Sequence, residues 1–422
     1  MKRVFRISRK GKVKPIVLSH LSVPQDLDAK LAFIQALIPV GLLAVAEALK
    51  QEVATLAGER YSRKGGLPGL VRWSQQRGFI YLGPQKVAVL YRRLRDRTSN
   101  REIPLRTYQQ LQQPHQADGK LLLQILRGLS CRSYAECAQA IPAAFGLSPS
   151  SLSRRFIRAS ARKLQQLCER RWDSYDFVAL FLDGKTFAED EMLIALAITL
   201  SGEKVILGFI QTGTENERAC SDFLRSLLER GLRVDPGLLC ILDGAKGLRK
   251  AIQQVFGSQV LIQRCQWHKR ENIVSYLPKS QQALWRRKLQ QAYEKPTYVE
   301  ARAALLRIRQ ELRLLNASAV ASLDEGMEET LTLHRLGVFP ALGASLKTTN
   351  CLESVMAQVG ERTDPVDRWR NSDQKQRWVA SALLDIEPRL RRIQGYRHLR
   401  ALRAALQGEI RGERTATGDQ VA

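Results

Sequence analysis

Short apolar runs separated by turn residues dominate the middle of the chain. Residues 177–184 form one run that ends in Asp-Gly, and runs at 192–200 and 204–212 flank a Ser-Gly-Glu turn, which is a hairpin signal. An amphipathic helix is predicted next, followed by a buried strand, a helix, another strand and a helix. The predicted ranges are 215–232, 238–244, 247–256, 260–265 and 266–277. This order predicts a mixed α/β core with five strands.

The first 120 residues have a different pattern. Residues 27–58 have helical periodicity with a break predicted at Pro39, and the segment 60–77, rich in Gly, Pro and basic residues, is predicted to be a loop. Segment 78–93 has strand composition around Gly83-Pro84, which predicts a small β-hairpin.

Helix is predicted again over 121–170. Ser133 with Glu136 forms a capping box for a short helix, and Ser148-Pro149 starts a second helix after a break. This arrangement is typical of a helix-turn-helix, whose second helix enters the major groove of DNA. An ordinary helical hairpin with a solvated basic face fits the pattern equally well. The candidate DNA-binding residues on the second helix are Arg154, Arg155, Arg158, Arg162 and Lys163.

Charge favours the DNA-binding interpretation. The chain carries 67 basic and 41 acidic residues, with a net charge of +26, and residues 1–176 alone hold 31 basic and 12 acidic residues. Such an excess fits a polyanionic partner, because neutralised phosphates release counterions. Solubility, or attraction to an anionic membrane surface, is the alternative. Double-stranded DNA is favoured because the charge lies beside the helix-turn-helix pattern.

Cysteine usage and hydropathy bear on the compartment. The seven cysteines are odd in number and scattered, as in reduced cytosolic proteins. The apolar stretch 31–49 is interrupted by Gln35, Pro39 and Glu47, so a buried helix pair is favoured over a membrane span. We expect a cytoplasmic protein.

Two acidic residues end apolar strands of the predicted core. Asp183 follows the first strand and Asp243 the fourth. If those strands are adjacent and parallel, both carboxylates emerge at one sheet edge, where they repel each other unless a cation lies between them. Oxygen ligands of this kind suit Mg²⁺ or Mn²⁺, and two such ions can promote in-line phosphoryl displacement. Each residue alone would more often be an ordinary Asp-Gly turn.

A third carboxylate would complete such a site. Glu353 is preferred because it lies beside the apolar face of a predicted helix, whereas Glu325, Glu328 and Glu329 have the pattern of a solvated helix surface. Cys265 and His268 form a single Cys-x-x-His pair. A structural zinc needs four ligands, so this pair is interpreted as a packing and hydrogen-bonding element near the site.

Four segments together resemble a known family. LDGKTF, LDGAKGLRKAI, QRCQWHKRENIVSYLPK and TTNCLES, in this order, are similar to segments of the Mutator-type transposases of bacterial insertion sequences, and the resemblance covers roughly residues 130–400. It implies a recombinase with an RNase H-like core, an Asp-Asp-Glu triad at Asp183, Asp243 and Glu353, and an all-α insertion between the second and third acids. The family's Cys-x-x-His falls on Cys265 and His268.

The resemblance gives a predicted domain plan and function. The plan is a basic N-terminal region (1–120), a helix-turn-helix-like region (121–175), the first part of the core (176–278), an all-α insertion (279–345), the last part of the core with C-terminal helices (346–412) and a flexible tail (413–422).

We expect metal-dependent cleavage at transposon ends and strand transfer into target DNA, by a homodimer or larger assembly. Further candidate DNA contacts are Lys246, Lys269 and Arg270. An RNase H-like nuclease and a non-catalytic DNA-binding regulator are the alternatives.

Overall fold

The computed structural model divides the chain into two compact units. The first comprises residues 1–125 and 129–156, and the second comprises 126–128 and 157–422. The structure describes residues 3–7, 13–17, 27–61, 66–82, 85–113, 115–131, 148–187, 189–212 and 216–418. The predicted short helix at Ser133–Glu136 lies outside these residues. The finer six-part domain plan stays a prediction.

The first unit contains both strands and helices. Its elements are β1 (Arg3–Ile7), β2 (Val13–Val17), α1 (Leu27–Ala57), β3 (Leu70–Leu82), β4 (Gln85–Asp96), β5 (Glu102–Ile103), α2 (Arg106–Leu111) and α3 (His115–Leu126), whose last residue belongs to the second unit. The strands β1 and β2 pair with each other, and β3, β4 and β5 form an antiparallel sheet. The predicted hairpin is confirmed, although its strands begin at residue 70, inside the segment predicted to be a loop.

Helix α1 packs on one face of the three-stranded sheet. Leu49 and Val53 of the helix form a buried cluster with Leu94 and Leu105. The predicted break at Pro39 is absent, since one helix runs through that position. Proline removes only one hydrogen bond from the helix ladder, and the residues on both sides favour helix. Among the described residues, no helix is long and apolar enough to cross a membrane.

The long helix α4 (Pro149–Glu169) begins where the sequence predicts. The backbone N–H of Ser151 donates to Ser148 Oγ at 3.3 Å, as expected for a serine N-cap. Proline then occupies the first helical position, where its missing N–H costs nothing. The serine-proline pair therefore determines where this basic helix starts.

The second unit is built around a mixed five-stranded sheet. Its strands are β6 (Phe177–Phe187), β7 (Asp190–Thr199), β8 (Lys204–Thr212), β9 (Leu238–Leu242) and β10 (Val260–Arg264), in the spatial order β10-β9-β6-β7-β8. β6, β7 and β8 pair antiparallel, whereas β9 pairs in parallel with both β6 and β10. The predicted α/β core of five strands is confirmed.

Helices cover both faces of this sheet. α5 (Glu217–Glu229) and α6 (Lys246–Phe256) pack on one face, and α14 (Asn350–Thr363), α15 (Ser372–Ile386) and α16 (Leu399–Gly418) pack on the other. The central strands are therefore buried on both sides, which explains their continuous apolar runs. Helix α16 extends into the segment predicted to be a flexible tail.

Helices α7 to α13 connect β10 to α14. They are α7 (Gln266–Ser275), α8 (Lys279–Tyr293), α9 (Tyr298–Arg313), α10 (Ala317–Asp324), α11 (Met327–Thr330), α12 (Thr332–Arg335) and α13 (Phe339–Leu346). Most of them share a buried cluster of their own, which includes Trp285, Leu289, Leu305 and Leu312. Residues 279–345 are thus mainly helical, as predicted; those up to Leu331 share this separate core, whereas α12 and α13 pack into the core of the sheet.

We expect Gly202→Ala to destabilise the second unit. Gly202 has a φ of +88°, and an added Cβ would lie 2.3 Å from Tyr396 Cβ. Backbone strain and the clash together should lower the free energy of unfolding by about 2–4 kcal/mol. Chemical denaturation with an intrinsic fluorescence readout measures this loss.

Gly337→Ala is the matched control. Gly337 also has a positive φ, +69°, but nothing lies within 4 Å of an added Cβ. The free energy of unfolding of this variant should fall only by the backbone contribution, about 1–2 kcal/mol. Equal losses in both variants would contradict the role given to the Tyr396 contact.

Candidate active site at the carboxyl edge of the sheet

Two aspartates lie side by side where parallel strands end. Leu182 of β6 is paired in register with Leu242 of β9, and Asp183 and Asp243 are the next residues along each strand. Both side chains are half-buried. Asp243 Oδ1 accepts a hydrogen bond from the backbone N–H of Ala245 at 3.1 Å, just before α6 begins. The adjacency that the sequence analysis assumed is therefore present.

The end of β10 joins the same edge. The N–H of Cys265 donates to the carbonyl of Leu242 at 2.7 Å, and the next residue, Gln266, donates to the carbonyl of Lys347 at 2.9 Å. The second bond ties the start of α7 to the segment that leads into α14. Because Glu353 lies in the first turn of α14, this bond brings its helix to the carboxyl edge.

Thr349 is the residue on which the cluster converges. Its fully buried hydroxyl lies 3.7 Å from Cys265 Sγ, 3.4 Å from His268 Nδ1 and 3.3 Å from Glu353 Oε1. His268 Nε2 lies 3.9 Å from Glu353 Oε1. One hydroxyl therefore links the Cys-x-x-His pair to the third acid. The sequence analysis did not select Thr349, although it stands in the TTNCLES segment that carried the resemblance.

The pKa of His268 reflects the groups that surround it, which include the two aspartates. The pKa of His268 is raised to about 9, first by its hydrogen bond with Cys265 and then by the negative charges of Cys265, Asp183 and Asp243, against the opposing effect of burial. Burial alone would raise the pKa of the Cys265 thiol, but its hydrogen bonds to His268 outweigh burial and lower it. His268 thus lies among the three acids, within electrostatic reach of both aspartates and near Glu353.

The three acids do not form a closed cluster in this conformation. Within the part of the chain that the structure describes, no three His, Cys, Asp or Glu side chains are close enough together to hold a metal ion. Asp183 and Asp243 are neighbours by strand pairing, and Glu353 is connected to them through His268 and Thr349. The structure therefore brings the predicted residues to one edge without showing them as joint ligands.

The rival glutamates are engaged elsewhere. Glu325 lies near Arg264, Lys246 and Lys269, Glu329 pairs with Arg249, and Glu328 pairs with Arg302. Glu325 and Glu328 are exposed, as the solvated-surface interpretation expects, while Glu325 and Glu329 also pair with basic residues of α6, α7 and β10.

Arg264 is a second residue that the sequence analysis missed. Its nearly buried guanidinium donates to the carbonyl of Glu325 at 3.0 Å and lies against two glycines of positive φ, Gly244 and Gly326. It lines a cavity of about 330 Å³ beside Asp243, with Lys246, Arg249 and Lys250 among the other lining residues. No sequence signal distinguishes this arginine from any other at a strand end.

The candidate DNA contacts fall into two groups. Arg154, Arg158 and Arg162 are exposed on α4, Lys163 is half-buried, and the Lys246 side chain is 84% exposed. Three others are engaged within the protein. Arg155 is buried with its guanidinium 5.7 Å from the Tyr81 ring, Arg270 donates to Gln290, and Lys269 is fully buried and donates to the carbonyl of Ser322 at 2.6 Å. Arg155 and Lys269 are thus buried in this conformation, Arg270 is half-buried, and DNA contact by any of the three stays a prediction.

Comparison with known families decides the identity. The family model described as Transposase, Mutator family matches residues 95–390, about seventy per cent of the chain, including the three acids, Cys265, His268 and Thr349. This chain belongs to the Mutator family of transposases. The predicted resemblance is confirmed.

Individual family members agree. The chain is 28% identical over 251 residues to the transposase for insertion sequence element IS6120 of Mycolicibacterium smegmatis, covering 58% of this chain and 76% of that protein. It is 30% identical over 228 residues to the transposase for IST2 of Acidithiobacillus ferrooxidans, covering 52% and 74%. The transposase for IS256 of Staphylococcus aureus is 30% identical over 198 residues, covering 46% and 48%. The chain is thus similar to bacterial insertion-sequence transposases.

We expect Thr349→Val to lower the free energy of unfolding by about 1–2 kcal/mol. Valine keeps the shape but removes the hydroxyl that Cys265, His268 and Glu353 share, and buried polar groups that lose a partner carry a cost of this size. Thr349→Ser keeps the oxygen and should retain most of the stability. Urea denaturation compares the three proteins, and a valine variant as stable as the parent would exclude this role.

Lys269→Met should reveal the cost of a buried charge. Burial lowers the pKa of Lys269 to about 8 from its usual 10.5, against the attraction of Glu325 and Glu329. As pH rises from about 8 to 10, the folded lysine loses its proton while the unfolded lysine keeps it, so the parent gains stability that the variant does not. The measurement is the free energy of unfolding of both proteins across this pH range. A constant difference would contradict the burial of this charge.

Proposed function

We propose that this family member is a DNA transposase of the Asp-Asp-Glu type, with Asp183, Asp243 and Glu353 as its catalytic acids. The observation that carries the proposal is the in-register pairing of Leu182 with Leu242, which sets the two aspartates next to each other. The hydrogen-bond cluster of Thr349 and His268 supports Glu353 as the third acid.

The proposed core is RNase H-like. Three antiparallel strands followed by two parallel strands, in the spatial order β10-β9-β6-β7-β8, support this proposal. The helical insertion between β10 and α14 accounts for the 110 residues that separate Asp243 from Glu353. Helices on both faces leave the carboxyl edge of the parallel strands as the place where a ligand can bind.

The donor set suits divalent cations. Carboxylate oxygens with open positions are what Mg²⁺ or Mn²⁺ prefers, and the charges of Asp183 and Asp243 add to the raised pKa of His268, after the larger effect of its hydrogen bond with Cys265. Asp183, Asp243 and Glu353 would hold two such ions, with Glu353 completing the set from α14. When bound, these ions would supply charge stabilisation for phosphoryl transfer.

The chain's own groups then have separate roles. The two aspartates, whose positions are fixed by strand pairing, would present their carboxylates side by side. The Thr349 hydroxyl lies 3.3 Å from Glu353 Oε1 and would position the third acid. The positively charged His268 offsets part of the carboxylate repulsion, which allows the acids to stay ionised near each other. The exposed arginines of α4 would contact the DNA phosphates.

The proposed reaction has two phosphoryl transfers. Water attacks a phosphodiester at a transposon end, which breaks the phosphorus–3′-oxygen bond and releases a 3′-hydroxyl. That hydroxyl attacks a phosphodiester of the target, so one phosphorus–oxygen bond forms as another breaks and the target 3′-oxygen leaves. The number of ester bonds is unchanged in the second step, and it needs no ATP. Joining two ends requires two sites, so we propose a homodimer or larger assembly on double-stranded DNA.

The proposal predicts metal-dependent cleavage and joining of DNA. Labelled duplexes that carry the genomic ends flanking the gene should be nicked and joined to a target in Mg²⁺ or Mn²⁺, and not in EDTA. Asp243→Asn should reduce both products by at least about a hundredfold, since an amide is a poorer ligand for a hard cation. Asp222→Asn, on the exposed surface of α5, is the matched control and should remain active.

Two other outcomes would overturn the proposal. Cleavage without joined products would indicate an RNase H-like nuclease. Specific DNA binding with no nicking in either metal, and with the same affinity in Asp243→Asn, would indicate a non-catalytic regulator.

A further inference from the structure

The hairpin β3–β4 has an open face that carries basic side chains beside exposed apolar ones. Residues 70–103 contain eight basic and two acidic side chains. One face of the hairpin packs against α1 through Ile80 and Val87. The proposed function assigns nothing to the opposite face.

Strand register shows which residues share the open face. Arg77 is paired with Leu90 and Gln75 with Arg92, so these four side chains point to the same side. Leu90 is 55% exposed and Arg77 is also exposed. The alternation of the strands puts them opposite to Val87, which faces α1.

An exposed tryptophan extends this face past a bulge. The register shifts between Arg72 and Gln75, and Trp73 lies in the shifted segment with 58% of its surface exposed. The Arg95 guanidinium lies 4.6 Å from the centre of the Trp73 ring, and it also donates to the carbonyl of Asn100. Arg95 therefore fixes the tryptophan in an exposed position. We call Trp73, Gln75, Arg77, Leu90 and Arg92 the ribbon face.

The charges of the ribbon face are available to a partner. Arg93, nearby on the same strand, pairs with Glu102. By contrast, among the residues that the structure describes, no ion pair involves Arg77 or Arg92. Cations without an internal counterion suit a partner that brings its own negative charge.

We propose that the ribbon face is a contact surface for duplex DNA, separate from the basic helix α4. This inference rests on the proposed function only in taking DNA as the partner. A two-stranded antiparallel ribbon fits the major groove, which is about 12 Å wide. Side chains two residues apart on one face are about 6.8 Å apart, close to the rise of two base pairs. Arg77 and Arg92 contact phosphates, and Trp73 and Leu90 cover the apolar parts of the groove.

The test measures binding by the full chain in EDTA, so that no cleavage occurs. Fluorescence anisotropy follows a labelled duplex at several salt concentrations. The double variant Arg77→Gln/Arg92→Gln should bind about tenfold more weakly at 100 mM salt, and the slope of log K against log salt should fall in magnitude by about two. Trp73→Ala should bind several-fold more weakly with the slope unchanged, because it removes no charge.

Two controls separate contact from folding. Arg77→Lys/Arg92→Lys keeps both charges and should restore the salt slope, and Arg225→Gln, which removes one exposed arginine from α5, should bind like the parent. Circular dichroism and thermal unfolding check that each variant is folded.

Several results would overturn the inference. The first is a double variant and a Trp73→Ala variant that both keep the affinity and the salt slope of the parent. The second is a loss, in these variants, of binding to single-stranded DNA alone. The third is a loss of their binding to anionic vesicles while duplex binding stays intact. Failure of the catalytic proposal looks different, since it would remove nicking and joining while leaving these binding changes in place.

Discussion

Parallel pairing of three strands is the constraint on which the candidate site depends. The residues that follow β6, β9 and β10 lie side by side along one edge of the sheet, because the three backbones run in the same direction and in register. The hydrogen bond from Cys265 to Leu242 extends this alignment past the last strand residue. A shift of one residue in β9 would turn Asp243 to the other face of the sheet. The buried apolar faces on both sides make such a shift costly.

The sequence could predict the features that depend on local pattern. Continuous apolar runs revealed the five strands, Ser148-Pro149 located the start of α4, and Gly83-Pro84 located the hairpin. Pro39 was misleading because the helical preference of its neighbours outweighed one lost hydrogen bond. The strand from residue 70 was missed because Arg, Gln and Ser alternate there with few apolar residues, and only pairing with β4 makes it a strand.

The site was predictable where it depends on strand ends and not where it depends on tertiary contacts. Asp183 and Asp243 could be paired from strand order alone. Thr349 and Arg264 could not be found this way, since Thr349 contacts Cys265, 84 residues away along the chain, and Arg264 contacts Glu325, 61 residues away. Lys269 looked like a surface cation in the sequence, but the insertion covers it and its ammonium binds the carbonyl of Ser322.

The bond between Gln266 and Lys347 joins the two ends of the helical insertion at the carboxyl edge of the sheet. The insertion is therefore a closed loop whose base lies beside the two aspartates, and its length can vary without moving either end. Changes within this loop therefore leave the positions of Asp183 and Asp243 unchanged. Evolutionary divergence among family members would then concentrate in the loop and spare its base.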